Sequence, residues 1–244
     1  MTALCLQGDL WLGNACLIRN LALDLPARGW SCLLGRSGVG KSTIARLIAG
    51  LPGAYRLDGR LQPSDGLPLA GRVAMLAQDA PLLPWADLVQ NVTIGARLRG
   101  QRPDKDRAHR LLAQVGLAGM ESRRPAALSG GQRQRVALAR ILIEDCPVVV
   151  LDEPFSALDT VTRLAMQDLA AKLLVGRNVI LITHDPLEAV RLSDRAWLLG
   201  PDGADRLDLP ETETPRDYHA TTTLAAQANL MARLHLSSTA RCAG

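Results

Sequence analysis

The sequence predicts an α/β fold built on a mainly parallel sheet, and three observations support that class. Short apolar runs typical of buried strands alternate with segments of helical periodicity along most of the chain. A glycine-rich loop links one of these strands directly to a helix. From about residue 79 to residue 140 the pattern is mostly helical. Strands alternating with helices favour a parallel sheet covered on both faces, and the middle stretch predicts a small helical subdomain inserted into it.

The composition narrows the class of protein further. The chain has 244 residues, 48% of them apolar and only 3% aromatic, so its core is aliphatic. This length suits one large domain or two small lobes. The net charge of +4 is spread along the chain, and with so few aromatic residues no nucleic-acid partner is expected. No stretch approaches the ~20 apolar residues of a membrane span, so work at a membrane would need another chain.

The N-terminal third reads as mixed strands that lead into a loop. In LIRNLALDLPARG the leucines at 21, 23 and 25 alternate as in a half-buried strand. In SCLLGRSGVGKSTIARLIAGLPG we predict a strand over residues 31–34, a loop over 35–40 and a helix over 41–49. Gly50 and Pro52 then end that helix.

The rest of the chain alternates again. PLLPWADLVQNVTIGARLRG and DKDRAHRLLAQVGL predict the helices of the insert, and CPVVVLDEP, NVILITHD and RAWLLG predict strands. Between them a helix is predicted over residues 168–175. We place the boundary of the main domain at residue 204, followed by a tail over 205–244 that is turn-rich and then weakly helical near 224–236.

The loop GRSGVGKS, Gly35 to Ser42, fits the pattern G-x-x-x-x-G-K-[ST] in its required strand–loop–helix context. Its backbone N–H groups can cradle phosphate oxygens, Lys41 can reach the β- and γ-phosphates, and Ser42 can ligate Mg²⁺. A glycine turn that binds nothing would leave the lysine and serine without a role. The predicted phosphate-binding residues are Gly35, Arg36, Ser37, Gly38, Val39, Gly40, Lys41, Ser42 and Thr43.

Two acidic residues follow the strand in VVVLDEP. Asp152 would hold Mg²⁺ and Glu153 could orient or deprotonate an attacking water, because ligands bind at the carboxyl edge of such sheets. With the loop above, they predict a P-loop protein that binds ATP and Mg²⁺. They do not separate a kinase, a motor and a transporter ATPase.

A second anion site is predicted where Ser129, Gly130, Gly131 and Gln132 precede the helical run QRQRVALARIL. One lysine-bearing loop needs only one cradle, so the second suggests a nucleotide held by a partner molecule. The alternative is an ordinary capped helix with a flexible glycine entry.

These motifs resemble, in order over about residues 4–200, the ATP-binding subunits of ABC transporters. The segment Leu128–Gln132 is similar to the family's signature motif. The loop Gly35–Ser42 is similar to its Walker A motif, and the segment Val148–Glu153 is similar to its Walker B motif. Gln78 resembles the Q-loop glutamine, and the segment Ser156–Asp159 resembles the D-loop. His184 resembles the switch histidine, and Trp11 resembles the aromatic residue that stacks on adenine.

The resemblance implies a RecA-like lobe with an N-terminal antiparallel β part, and a head-to-tail homodimer with two shared ATP sites. Each site would use Lys41 and Glu153 of one subunit and Ser129 to Gln132 of the other, with Asp159 at the same interface. His184 would contact the γ-phosphate, and Gln78 would sense Mg²⁺. The implied catalytic residues are Lys41, Gln78, Glu153 and His184.

The resemblance also implies partners and a place. The stretches EPFSALD and GGQRQRVALAR look like bacterial importers, which implies an integral-membrane permease and, through it, a periplasmic or lipid-anchored solute-binding protein. The chain would lie at the cytoplasmic face of the inner membrane, with a permease groove near residues 82–91. QDAPLLPW resembles the nitrate, sulfonate, taurine and hydroxymethylpyrimidine group, and THDPLEAVRLSD its thiamine-precursor branch.

Two other classes remain open at this stage. A soluble ABC ATPase acting on DNA or ribosomes usually carries tandem cassettes or long coiled-coil inserts, which this sequence lacks. A P-loop kinase for small molecules would not need Ser129 to Gln132.

Overall fold

The computed structural model describes residues 2–78 and 81–239, with side chains described as far as residue 235. The strands of this part are β1 Leu4–Leu12, β2 Ala15–Leu25, β3 Gly29–Leu34, β4 Tyr55–Pro63, β5 Val73–Leu76, β6 Val148–Asp152, β7 Asn178–Thr183, β8 Arg195–Gly200 and β9 Gly203–Leu207. Its helices are α1 Lys41–Ile48, α2 Leu88–Val92, α3 Ile94–Leu98, α4 Lys105–Gln114, α5 Gly130–Leu142, α6 Thr160–Leu173, α7 Pro186–Leu192 and α8 Thr221–Thr239. None of these helices combines the length and apolar character needed to cross a bilayer.

The strands form two sheets. One has six strands in the order β5-β6-β7-β3-β8-β9, parallel except for the edge strand β9. The other is antiparallel, with three strands in the order β2-β1-β4. Every residue of β6 and β7 is buried, which explains their continuous apolar runs. The predicted α/β class, with a mainly parallel sheet and an antiparallel N-terminal part, is confirmed.

The core consists of two hydrophobic clusters, one on each face of the parallel sheet. Helix α1 fills the space between the sheets, where Ile44, Ala45 and Ile48 pack among the inward leucines of β1 and β2. The other face of the parallel sheet packs against the remaining helices through an aliphatic cluster that includes Phe155. The sheet edge at which β3, β6 and β7 end is therefore held rigidly from both sides.

The predicted helical insert contains α2, α3 and α4. Helix α5 contacts both α2 and α4 on one side and β5 and α6 on the other, so it joins the insert to the sheet. The insert was expected over 79–140; residues 79 and 80 lie outside the described part, and α5 continues to Leu142.

The helix predicted over residues 168–175 is longer than expected. It begins at Thr160, because the Asp159 carboxylate accepts a hydrogen bond from the Thr162 backbone N–H at 3.0 Å and caps the first turn. It ends at Leu173, two residues before the predicted end. The polar first turn hid the start of this helix from a periodicity-based prediction.

The described part of the tail packs against the rest of the chain. Strand β9 pairs antiparallel with β8 and crosses the boundary expected at residue 204. The Arg216 guanidinium is buried and donates to the carbonyl oxygens of Val190, Ser193 and Pro210 at 2.5, 2.8 and 2.5 Å. Helix α8 packs against α7, with Leu230 buried, and begins three residues before the predicted weak helix.

Candidate functional site

The loop between β3 and α1 has the geometry of a phosphate cradle. Gly38 and Gly40 have positive φ values of 83° and 112°, which only glycine adopts readily. Helix α1 starts at Lys41 with no side chain capping its N-terminus. Its first backbone N–H groups and the positive end of the helix dipole are thus available to an anion. Gly35 is buried, whereas Arg36, Ser37 and Gly38 are exposed on the outer side of the loop.

Lys41 lies inside this loop and is 5% exposed. Its ammonium donates to the carbonyl oxygens of Gly35 and Arg36 at 2.7 and 2.9 Å. Burial lowers the pKa of Lys41, and the nearby carboxylates of Glu153 and Asp152 oppose that shift. The cation is therefore held in place by the loop itself, where phosphate oxygens can replace the two carbonyls as acceptors.

Ser42 and Asp152 form a pair of oxygen ligands at the end of β6. The Ser42 hydroxyl donates to Asp152 Oδ1 at 3.2 Å, and Asp152 is 3% exposed. Burial raises the pKa of Asp152, while the hydrogen bond from Ser42 opposes the increase. A hydroxyl and a buried carboxylate in contact are the donor set that Mg²⁺ prefers, so these residues fit the ion.

Glu153 follows Asp152 in a left-handed conformation, with φ 47°. This conformation costs a non-glycine residue about 1–2 kcal/mol. It is held by a 2.8 Å hydrogen bond from the Glu153 backbone N–H to the Ile182 carbonyl on β7. Glu153 Oε2 lies 2.9 Å from Nδ1 of His184, which follows the end of β7. Because β6 and β7 are neighbours, their ends bring the two predicted catalytic residues together.

One cavity of about 280 Å³ is lined by most of the predicted phosphate-loop residues, together with Gln78 and Glu153. Its lining is Leu12, Leu17, Ser37, Gly38, Gly40, Lys41, Ser42, Thr43, Gln78 and Glu153. The structure thus brings Gln78 beside the phosphate loop and Glu153, as its predicted role requires. Val39 lies behind the loop, packed against the core between the sheets.

Trp11 is not among the lining residues. Its ring lies under the Arg56 guanidinium, 4.5 Å from the ring centroid. The apolar end of the cavity is formed instead by Leu12, which is 45% exposed, and Leu17, across a turn at Gly13. A Cβ on Gly40 would meet Leu10, Leu17 and Ile18 at 3.4–3.5 Å, so this hairpin lies directly on the phosphate loop. Sequence reasoning missed both leucines: the glycine turn indicates a hairpin, but not where its tip lies.

The second predicted anion site is at the start of α5, away from this cavity. The Gln132 backbone N–H donates to Ser129 Oγ at 3.3 Å, and the Ser129 N–H donates to Gln132 Oε1 at 2.9 Å. This reciprocal pair of hydrogen bonds is a capping box, which the alternative interpretation, an ordinary capped helix, also predicts. Ser129 and Gly130 are exposed, and a Cβ on Gly130 would meet nothing within 4 Å. A Cβ on Gly131 would lie 2.6 Å from Thr162 Cγ2, so the two glycines have different surroundings.

Asp159 also lies away from the cavity lining, exposed at the start of α6. Its hydrogen bond from the Thr162 backbone lowers the pKa of Asp159. The contact between Gly131 and Thr162 puts the starts of α5 and α6 side by side. The residues predicted to meet a second subunit therefore share one exposed corner of the molecule.

Comparison with known proteins agrees with this arrangement. The sequence model of the family described as ABC transporter matches residues 18–156, more than half of the chain. An uncharacterized ABC transporter ATP-binding protein of Haemophilus influenzae is 41% identical over 89% of this chain and 92% of its own length. The aliphatic sulfonates import ATP-binding proteins SsuB 2 of Agrobacterium fabrum and SsuB of Escherichia coli are 46% and 45% identical, over 78% and 79% of this chain and 73% and 74% of their own lengths.

Among solved structures, a chain of an inward-facing transporter described as of the metal-chelate ABC type superposes with a TM-score of 0.70. It covers 94% of this chain and 90% of that one at 23% identity, a level that supports the fold alone. The phosphate loop and Glu153 line one cavity, Asp152 and His184 contact Ser42 and Glu153 of that lining, and the sequence matches cover most of the chain. The chain therefore belongs to the ABC transporter family, as an ATP-binding subunit that is an ATPase coupled to transport.

Proposed function

We propose that this chain powers an importer for a small organic sulfonate, as one of two identical subunits that close head to tail around ATP. The names of its relatives, aliphatic sulfonate import proteins from several bacteria, support both the direction of transport and the solute class. They favour a sulfonate over the thiamine-precursor branch that the sequence also resembles.

The main support for a shared site is the separation of its two halves within one chain. Lys41, Ser42, Gln78 and Glu153 line the cavity, whereas Ser129 to Gln132 lie outside it with Gly130 open to solvent. In a head-to-tail dimer, Ser129 to Gln132 of one subunit would face the γ-phosphate bound by the other. The helix N-terminus and a glycine without a side chain allow that close approach.

Within the cavity each residue has a defined task. Lys41 exchanges its loop carbonyls for the β- and γ-phosphates. Glu153, aimed at the cavity by its strained backbone, accepts a proton from the attacking water. His184 keeps the Glu153 carboxylate in place through the 2.9 Å contact until the γ-phosphate draws the histidine away. Closing the dimer would then free Glu153 at the moment when water is to be activated.

Mg²⁺ would be held by Ser42 and Asp152, with Gln78 at the same edge of the cavity. When bound, the ion neutralises charge that develops on the phosphate oxygens. Gln78 precedes the segment leading to α2, so its position depends on whether the ion is there. Gln78 can thereby transmit the presence or absence of the ion to the helical insert.

The surface near residues 82–91 is proposed to receive the permease. Asn91 is buried and ties this turn together by hydrogen bonds to the backbone of Leu83, Ala86 and Asp87. Trp85 is left 70% exposed at the tip. An exposed tryptophan on a rigid turn is a common anchor for a protein partner. Docking there would place the chain at the cytoplasmic face of the inner membrane, and the permease would connect it to a solute-binding protein.

The test is reconstitution of the chain with the permease that co-purifies with it, in proteoliposomes. An alkanesulfonate with the matching binding protein should stimulate ATP hydrolysis, and nitrate or a thiamine precursor should not. Stimulation by a different solute would change only the proposed substrate class and leave the importer function standing. Hydrolysis that neither the permease nor any solute stimulates would contradict the importer itself.

A further inference from the structure

Helices α6 and α7 meet directly behind His184. The segment Leu158–Asp159 leads into α6, and the segment Thr183–Asp185, which includes His184, leads into α7. The side chain of Arg163, in the first turn of α6, lies between these two segments. It joins a part of the chain that faces outward to one that faces the cavity.

Arg163 contacts both segments at once. One guanidinium nitrogen, Nη2, donates to the Leu158 carbonyl at 2.9 Å, and the other, Nη1, lies 3.7 Å from Asp185 Oδ2. Arg163 Nε is buried without a hydrogen-bond partner. The planar guanidinium therefore spans the two loops as a rigid fork, with a separate nitrogen for each contact.

Asp185 is tied in turn to the strand end that carries His184. Its backbone N–H donates to Thr183 Oγ1 at 3.0 Å, and that hydroxyl donates to Glu188 Oε2 at 2.6 Å. Asp185 Oδ1 accepts from the Leu187 N–H at 2.8 Å and caps α7. His184 is thus held between two residues that cannot move without breaking buried hydrogen bonds.

A second set of contacts locks α7 to α6 further along. Glu188, 3% exposed, lies 3.5 Å from Gln167 Nε2, and Gln167 Oε1 accepts from Arg191 Nη1 at 2.9 Å. Burial raises the pKa of Glu188 to about 7, and the Thr183 hydrogen bond opposes that increase. Arg163 makes the corresponding contact between α6 and α7 at their first turns.

We propose that Arg163 is a positioning residue for ATP hydrolysis: it fixes His184 relative to Asp159, so that displacement of Leu158–Asp159 by a second subunit is transmitted to His184. The inference rests on the proposed shared site. An ion pair of 3.7 Å with side chains 30% and 28% exposed contributes little to stability, so removing it should change Tm little.

The test compares Arg163→Met with Arg177→Met in the full chain. Arg177 is a matched control because it also forms an ion pair, with its guanidinium 2.9 Å from Asp145 Oδ1. It lies just before the start of β7, at the opposite end of that strand from His184. Arg163→Met should lower kcat at least about tenfold, since small misplacements of catalytic groups are costly, with the KM for ATP and Tm nearly unchanged. Arg177→Met should keep kcat.

Two further variants separate positioning from folding. Arg163→Lys should stay impaired, because a compact ammonium on a flexible stem does not reproduce the fixed fork that reaches Leu158 and Asp185 from two nitrogens. Asp185→Asn keeps an oxygen to cap α7 but loses the charge, so it should lower kcat less than Arg163→Met does. In the double variant the Arg163→Met loss should be smaller than in wild type, since the two residues act through one contact.

Wild-type kcat and KM in Arg163→Met would overturn the inference and leave the proposed function standing. If Arg163→Met lowered Tm but the folded fraction kept its kcat, the inference would likewise be overturned and the role of Arg163 would be structural. Absence of ATP hydrolysis in the wild-type chain with its permease would instead overturn the proposed function, and with it this inference.

Discussion

Two helices of this molecule, α1 and α5, have glycines at their N-termini, and the surroundings of the two N-termini differ. The start of α1 lies in a cavity with Lys41, Ser42 and Glu153, and no side chain caps it. The start of α5 is capped by its own Ser129 and Gln132, outside that cavity. The first site combines a lysine, a hydroxyl and a carboxylate around a bare helix N-terminus, while the second lacks a lysine in its loop. Under the proposed function, one chain would carry a nucleotide site and, elsewhere, the surface that completes the site of another chain.

The largest expected effect is on hydrolysis at the first site. Glu153→Gln removes the base, so kcat should fall by about 10³-fold while the Kd for ATP changes little. With hydrolysis stopped, ATP should hold two subunits together. Size-exclusion chromatography with and without ATP tests this. A variant that remains monomeric with ATP would contradict the shared site.

The second-largest expected effect distinguishes the roles of the α1 and α5 N-termini. Lys41→Ala should weaken ATP binding, whereas Ser129→Arg should leave ATP binding to the monomer intact and lower kcat about 100-fold by obstructing the partner's phosphate. Mixing the two inactive variants should restore part of the activity, because a mixed dimer contains one site with both halves intact. Full activity of Ser129→Arg alone would mean that the motif is only a helix cap.

The third effect compares the two adjacent glycines. Gly131→Ala places a methyl group 2.6 Å from Thr162 Cγ2, and this overpacking should outweigh the gain in helix propensity by about 1 kcal/mol. For a chain of this size Tm should fall by about 2–4 °C. Gly130→Ala, with open space around it, should leave Tm unchanged or higher.

A rescue variant provides the control for this pair. Thr162→Ala removes the clashing methyl group, so Gly131→Ala should no longer lower Tm in that background. An equal loss of Tm with and without Thr162 would show that the packing contact is not the cause.

The smallest effect concerns the apolar end of the cavity. Leu12→Ala should raise the KM for ATP about threefold, because removing part of a side chain that covers the base loses less than the full burial energy of a leucine. Trp11→Ala should change KM less than twofold, since its ring is against Arg56. The opposite ranking would return Trp11 to the role implied by the family resemblance.

Local sequence predicted much of the fold and most of the first site. The phosphate loop, the acidic strand end and His184 were predicted because each motif needs particular residue types at a short spacing. Helix α6 was misplaced because its first turn is polar, and its start depends on the Asp159 cap. The tail was set apart as a separate segment because nothing local indicates that Arg216 is buried beneath α7.

By itself, the sequence determined the class of the protein and four of the six strands of the larger sheet, β3, β6, β7 and β8, and it predicted which residues would bind phosphate and metal. These follow from short-range periodicity and from backbone requirements at glycine. Only the tertiary structure decided which groups meet. It paired Glu153 with His184 across neighbouring strands, put Leu12 rather than Trp11 at the cavity, and joined α6 to α7 through Arg163. Such contacts depend on how distant segments pack, and no local pattern encodes that.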